Sequence, residues 1–282
     1  MNIIESIFLG VIQGLTEFLP ISSTGHLTLA GKLMKLISDT HPEQWTAFIA
    51  VIQLGTMIAV FVYFWNDLIS IVKDFIWQSL IKRKSFAEQN INSKLGWYLI
   101  IGTIPVVIVG LGFKNIIEGA ITKNLFVISS SLIVLAIFLA AAEKISSFNK
   151  KIENIKWYDA LLIGIAQCLA LIPGSSRSGT TITAALLLGF ERETAAKFSF
   201  LLSLPAVLGS GLLELYESLK FIDSSITINL ILATIISAAV GYLSIEFLLK
   251  YLRKHTTYVF VYYRITIGLL ILALILFGVI TK

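Results

Sequence analysis

Hydrophobic residues in this chain run in long unbroken blocks, and polar residues fall between the blocks or in two short clusters. Six blocks, roughly 46–65, 97–113, 124–142, 198–216, 228–249 and 257–280, predict membrane-spanning helices. Each carries close to the ~20 apolar residues a helix needs to cross about 30 Å of hydrocarbon. Two further apolar stretches, 3–20 and 157–172, end on a proline and then a run of serines. Proline stops a helix, and Ser22 or Ser175 can cap a new one, so each region predicts helix, turn, helix. Broken helices at membrane depth persist only where they are buried or line a wet cavity. Both regions are therefore read as re-entrant helical hairpins. The expected fold is an all-α integral membrane protein with about six transmembrane helices and two such hairpins.

Composition supports this reading. Of 282 residues, 56% are hydrophobic and only 14% charged, with a mean hydropathy of +0.87. Soluble domains carry about 25% charged residues. The net charge of +5 sits in short loops between apolar runs, which argues against nucleic acid as a partner and for a membrane with basic cytoplasmic loops. The first cation is Lys32, so no cleavable signal peptide is expected at the start. Cys168 is the single cysteine, which excludes an internal disulfide and a cysteine metal cluster and leaves it as a small packing residue.

Orientation follows from the cations. With loop 66–96 in the cytoplasm and the spans alternating from there, fifteen Lys and Arg fall inside, among them Lys250, Arg253, Lys254 and Arg264. Six fall outside: Lys32, Lys35, Lys114, Lys123, Lys220 and Lys282. Arg177 belongs to neither set. The bias obeys the positive-inside rule. It also divides the chain into repeat one (1–143), a polar cytoplasmic linker (144–156) and repeat two (157–282). Each repeat is a hairpin plus three spans, so the halves have opposite topology.

The hairpins carry one signature twice. Gly10-Val-Ile-Gln13-Gly-Leu leads to Pro20-Ile-Ser22-Ser23, and Gly164-Ile-Ala-Gln167-Cys-Leu leads to Pro173-Gly-Ser175-Ser176. Pairing the prolines leaves one residue fewer between Gln and Pro in the second copy. Gly55-Thr56 and Gly209-Ser210 echo the same offset of 154 residues. The copies differ in chemistry. The first holds Glu17 and His26, and the second holds Arg177, so a carboxylate, an imidazole and a guanidinium come from two halves of one site.

Gln13 and Glu17 are four apart on a predicted helix and share a face. An ionisable group in a membrane segment is a functional candidate by default. Together they offer oxygens to a hard divalent cation, Mg or Ca. A helix-end carboxylate and an interhelical hydrogen bond are the structural alternatives. Ser22, Ser23 and Thr24 start a helix whose free N–H groups favour an anion, beyond the one hydroxyl that capping needs. His26, three residues past Ser23, is placed to activate that hydroxyl as a nucleophile. Arg177, among Ser175, Ser176, Ser178, Thr180 and Thr181, suits bidentate contact with phosphate; a structural pair with Glu17 is the alternative. Glu214 and Glu217 read as a solvated outer helix end, Glu191 and Glu193 as a water-facing turn. His41 and His255 read as loop residues.

At these residues the chain resembles, over its full length, the undecaprenyl-diphosphate phosphatase family of integral membrane, bacitracin-resistance phosphatases. Gln13-x-x-x-Glu17, Pro20-Ile-Ser22-Ser23-Thr24-Gly25-His26 and Pro173-Gly-Ser175-Ser176-Arg177-Ser178-Gly179 carry the likeness. Val51-Ile-Gln53-Leu-Gly55 and Ser199-Phe-Leu-Leu-Ser-Leu-Pro205 add to it. The resemblance implies hydrolysis of the C55 isoprenyl diphosphate to its monophosphate, recycling a lipid carrier for cell-wall synthesis. It implies a divalent cation, a bacterial plasma membrane and an active site open to the outer face. By position, Glu17 and Gln13 would serve the metal, Ser23 would be nucleophile or phosphate contact, and His26 the acid/base. Arg177, Ser176 and Thr181 would hold the diphosphate, with Ser22, Thr24 and Ser178 as further phosphate contacts. Gln13 stands where many members have Glu, and Ile49 where some have an acid. Direct attack by water, and a homodimer, stay open at this point. The rival from another class is an inverted-repeat transporter or flippase for an anionic lipid, which needs no Ser23–His26 pair.

Overall fold

The computed structural model describes residues 1–37, 42–113, 124–218 and 224–280. Lys114, Lys123, Lys220, Lys282 and His41 lie outside the described residues, as do the side chains of Glu214 and Glu217. The described chain is helical, with one isolated bridge between Lys150 and Phe190. The helices are α1 (Ile3–Phe18), α2 (Ser23–Leu33), α3 (Pro42–Tyr63), α4 (Trp65–Phe75), α5 (Ile91–Gly112) and α6 (Leu125–Ile145). They continue as α7 (Trp157–Gln167), α8 (Arg177–Leu187), α9 (Arg192–Ser218), α10 (Ser224–Leu252) and α11 (Tyr258–Leu276).

Six of these, α3, α5, α6, α9, α10 and α11, are long and apolar enough to cross a membrane. Their outward residues, such as Ile104, Ile108, Phe138, Ile235 and Leu269, are large, apolar and exposed, as lipid-facing positions must be. The protein is an all-α integral membrane protein. Three helices long and apolar enough to cross a membrane, α3, α5 and α6, lie between α1–α2 and α7–α8.

Two differences from expectation concern the polar stretches. Residues 66–96 are not a plain loop: α4 and a π-helical continuation, Ile76–Ile81, expose Trp65, Ile69, Val72, Trp77 and Leu80 on one face. That is an amphipathic helix suited to the membrane surface. Arg264, counted with the cytoplasmic cations, is six residues inside α11, about 9 Å past its first residue at 1.5 Å per residue. It is 1% exposed. Without it the expected cytoplasmic count falls from fifteen to fourteen, against six outside.

The halves interlock. α1 packs on α10 of the other half, and α7 packs on α5. Both crossings rest on the glycine that opens the repeated signature. A Cβ on Gly10 would fall 2.6 Å from the Ala233 carbonyl oxygen, and one on Gly164 2.1 Å from that of Gly102. Backbones that close depend on packing rather than on a hydrophobic drive between helices in lipid. Near the linker, Glu143 of α6 is buried and accepts from Arg192 Nε at 2.8 Å and from Thr257 Oγ1 at 2.9 Å. These bonds tie α6, α9 and the start of α11 together. Glu193 is not simply solvated; it accepts from Arg253 at 2.7 Å.

Candidate functional site: a cavity between two matched turns

The two hairpin turns are built alike. Ser22 (φ 77°) and Ser176 (φ 67°) both take left-handed backbone at the N-caps of α2 and α8. Non-glycine residues there cost about 1–3 kcal/mol, strain that accompanies functional turns. Each serine recovers part of it by capping: Ser22 Oγ accepts from Gly25 N at 3.2 Å, and Ser176 Oγ from Gly179 N at 3.1 Å. The equivalence corrects the alignment read from the prolines. Ser22 matches Ser176, Gly25 matches Gly179, and the offset stays at 154 throughout, with no residue missing. Gly174, at φ 85°, takes the place of Pro20. Ser23 and Arg177 thus occupy the same position, the first residue of their helices, and both line one cavity.

Glu17 is the hub. Buried at the end of α1, its carboxylate accepts from Ser23 Oγ at 2.7 Å and from Gln13 Nε2 at 3.1 Å. Gln53 Nε2 of α3 donates at 3.3 Å and Arg177 Nη2 of α8 at 2.7 Å. Four donors on one carboxylate fix its position and orientation. The Arg177–Glu17 pair joins the hairpins; a pair this buried is strongly destabilised by removing either partner. Arg177 Nη1 is buried without a hydrogen-bond partner among the described residues, so half of the guanidinium fork is uncommitted.

The cavity has a volume of about 480 Å³ and two characters. Its polar end is lined by Glu17, Ser22–Thr24, Gln53, Gln167 and Ser175–Arg177. Its other walls are mainly apolar: Val106, Val107 and Leu111 of α5, Ala170–Ile172, and Pro205–Val207 and Leu213 of α9, with Ser210 the polar exception. Such a space accommodates an anionic head at one end and a hydrocarbon chain along the other.

Several expected roles shift. His26 makes no hydrogen bond to Ser23. Its Nδ1 lies 2.7 Å from the Ser22 carbonyl and its Nε2 2.8 Å from the Tyr263 hydroxyl, with the two rings stacked. A carbonyl only accepts, so Nδ1 carries the proton in that bond, and Ser23 has Glu17 as its partner instead. Ser178 and Thr181 do not line the cavity. Ser178 Oγ donates to the Leu19 carbonyl at 3.2 Å, and Thr181 Oγ1 reaches Ser199 Oγ at 2.6 Å and the Arg177 carbonyl at 2.8 Å. Both are buried, and both hold α8 against its neighbours. Ser22, Thr24 and Ser176 do face the cavity.

Sequence reasoning missed three contributors. Gln53 and Gln167 were visible only as parts of motifs. Arg264 has no acidic partner among the described residues and donates to three carbonyls: Leu132 at 3.3 Å, Pro20 at 3.4 Å and Ser175 at 2.9 Å. It clamps the turn of each hairpin to α6. An isolated arginine within an apolar run was the signal that could have found it.

Among the described residues, no three His, Cys, Asp or Glu side chains gather to form a metal cage. The donor set nonetheless suits a hard divalent cation shared with a phosphate ligand. Gln13 Oε1 is buried without a hydrogen-bond partner, next to the Glu17 carboxylate, and such ions commonly take one or two protein oxygens plus phosphates.

The fold and this cavity define an integral membrane protein with a buried polar centre, carboxylate and hydroxyl from one hairpin and guanidinium from the other. The chain belongs to the family described as bacitracin resistance protein BacA, whose model matches residues 6–270. It is 58% identical over 268 residues to an undecaprenyl-diphosphatase of Syntrophobacter fumaroxidans, covering 95% of each chain. It is 48% identical over 289 residues to an undecaprenyl-diphosphatase of Pelodictyon phaeoclathratiforme, covering 99% of each. A relative of the same name from Renibacterium salmoninarum is 45% identical over 284 residues, covering 99% of this chain and 98% of its own.

Proposed function

We propose that this protein is a membrane phosphatase that hydrolyses undecaprenyl diphosphate to undecaprenyl phosphate and inorganic phosphate. This would recycle the carrier lipid of cell-wall synthesis in a bacterial plasma membrane. The observation that carries the proposal is the 2.7 Å hydrogen bond from Ser23 Oγ to Glu17 Oε2 in a cavity with apolar walls. Family membership and the relatives' names supply the substrate.

The diphosphate enters with its head at the two turns and its prenyl chain along α5 and α9. Arg177 turns its free Nη1 to the phosphate oxygens, and the N-termini of α2 and α8 add N–H groups. Ser23 Oγ attacks the terminal phosphorus while Glu17 takes its proton. The bond from that phosphorus to the bridging oxygen breaks, and the prenyl phosphate departs with the proton from Glu17. Water then attacks the phosphoserine phosphorus as Glu17 takes its proton; the Ser23 Oγ–P bond breaks, Glu17 returns the proton to Oγ, and inorganic phosphate leaves. Glu17 and Gln13 would hold a divalent cation, which supplies charge neutralisation at the phosphoryl oxygens. His26 holds the Ser22 carbonyl and so the strained turn that aims Ser23; it is a positioning residue. An opening to the outer face is part of this reading, supported by Leu111 and Leu213, which line the cavity near the ends of α5 and α9 that the cation bias assigns outside.

Inverted repeats with broken helices also suit a transporter of an anionic lipid. Purified protein given a long-chain prenyl diphosphate separates the two. Release of inorganic phosphate, lost with a chelator and restored by Mg or Ca, is the expected result. Uptake into liposomes without phosphate release would instead make the protein a transporter.

A further inference from the structure

Gln167 is the pseudo-symmetry mate of Gln13, and its side chain is idle. Gln13 donates to Glu17 and Thr56. Gln167 is 1% exposed, and neither Oε1 nor Nε2 has a hydrogen-bond partner among the described residues. A buried amide without partners costs about 1–3 kcal/mol for each unmet group. An apolar side chain would pack there at no such cost. The amide also lines the cavity, together with two further unpartnered buried groups of the same hairpin, Ser175 Oγ and Arg177 Nη1. Three groups with unused donor capacity thus converge on one space. Polar groups left unmet in a site reject whatever cannot satisfy them, which is how specificity is built.

We propose that Gln167 is a substrate-binding residue whose amide Nε2–H holds the phosphate that stays on the prenyl chain. The proposal rests on the hydrolase reading above. Two features place the amide at that phosphate rather than the departing one. Ser23 and Glu17, which act on the terminal phosphorus, stand on the opposite hairpin. Gln167 is followed three to five residues on by Ala170, Leu171 and Ile172, which belong to the apolar wall. It therefore sits where head gives way to chain. Its symmetry mate on the reacting side serves Glu17, so the duplicated glutamine has divided its labour, one copy organising the acid and the other reading the ligand.

The test is Gln167→Met and Gln167→Leu in the full-length purified protein, compared with wild type. Four quantities are read: KM and kcat for a prenyl diphosphate, the inhibition constants of a prenyl monophosphate and of inorganic phosphate, and the thermal unfolding midpoint. The expected outcome is a rise of about tenfold in KM and in the monophosphate constant, the loss of one hydrogen bond to a charged group. With it, kcat changes by less than about threefold, inorganic phosphate inhibits as before, and the midpoint is unchanged or raised. A lowered midpoint with wild-type constants would make Gln167 a core residue and overturn the proposal. A shift for inorganic phosphate but not for the monophosphate would overturn it too. A wild type that releases no phosphate removes the hydrolase reading itself, whereas an active wild type matched by both variants removes only the role of Gln167.

Discussion

Glu17 gathers four donors from four helices, its own α1 and α2, α3 and α8, and each bond has a separable consequence. Glu17→Gln keeps shape but removes the charge that Ser23 and Arg177 answer. Activity should fall about 10²–10⁴-fold, the range for losing a general base. The unpaired, buried Arg177 should cost a further ~3–5 kcal/mol of stability, visible as a lowered unfolding midpoint. Ser23→Ala has no such structural debt: its hydroxyl bonds only to Glu17 among the described residues. It should fold as wild type, lose phosphate release by about 10³-fold or more, and eliminate the phosphoserine that rapid quenching and mass spectrometry would find at position 23. A Ser23→Ala variant with near-full turnover would leave Ser23 a mere contact and hand the attack to water. Gln13→Met should leave the maximal rate near wild type at saturating Mg while raising the Mg concentration needed for half of it, since one neutral oxygen ligand is lost.

At the scale of elements, the site is two helix starts held face to face by groups that belong to neither start. Arg264 of α11 bonds the turn of each hairpin, and the two signature glycines let α1 and α7 seat against the opposite half. Arg264→Met retains bulk but leaves three carbonyls without their donor. Phosphate release should drop about tenfold or more, and Arg264→Lys, with one charged tip for three carbonyls, should recover only part of it. Wild-type activity in Arg264→Met would show that the turns hold themselves. The limits of sequence reading lie at this scale. Apolar runs and prolines announced the six spans and both hairpins because helix length and chain breaks are local properties. The partner of Ser23 was not local: spacing put His26 on its face, but the left-handed Ser22 rotates the turn so that Ser23 meets Glu17 of the preceding helix. Likewise, Ser178 and Thr181 share a motif with Arg177 yet point into helix packing. A motif records which residues lie close, not which side of the helix meets the cavity. Arg264 escaped because it was counted with the cytoplasmic cations although it lies inside the block 257–280, and its partners are carbonyls of distant segments that leave no local mark.

For the whole molecule, the constant offset of 154 residues relates two turns of matching geometry, and residues from both line the site. Neither half holds all of it: Glu17 and Ser23 come from the first, Arg177 and Gln167 from the second. If the proposed outer-face opening holds, a cysteine at the exposed, cavity-lining Thr24, in a Cys168→Ser background, should react with a membrane-impermeant thiol reagent in right-side-out vesicles. A prenyl diphosphate should protect it. Labelling only from inverted vesicles would reverse the orientation. The claim that the halves form a single reacting unit is tested most directly by a double-mutant cycle on phosphate release, with Ser23→Ala, Arg177→Ala and the double variant. Groups that act together are not additive. Each single change should cost about 10³-fold, and the double variant should be little slower than the worse single. Losses that multiply to about 10⁶-fold, or a single variant that keeps wild-type turnover, would contradict a site assembled from both hairpins.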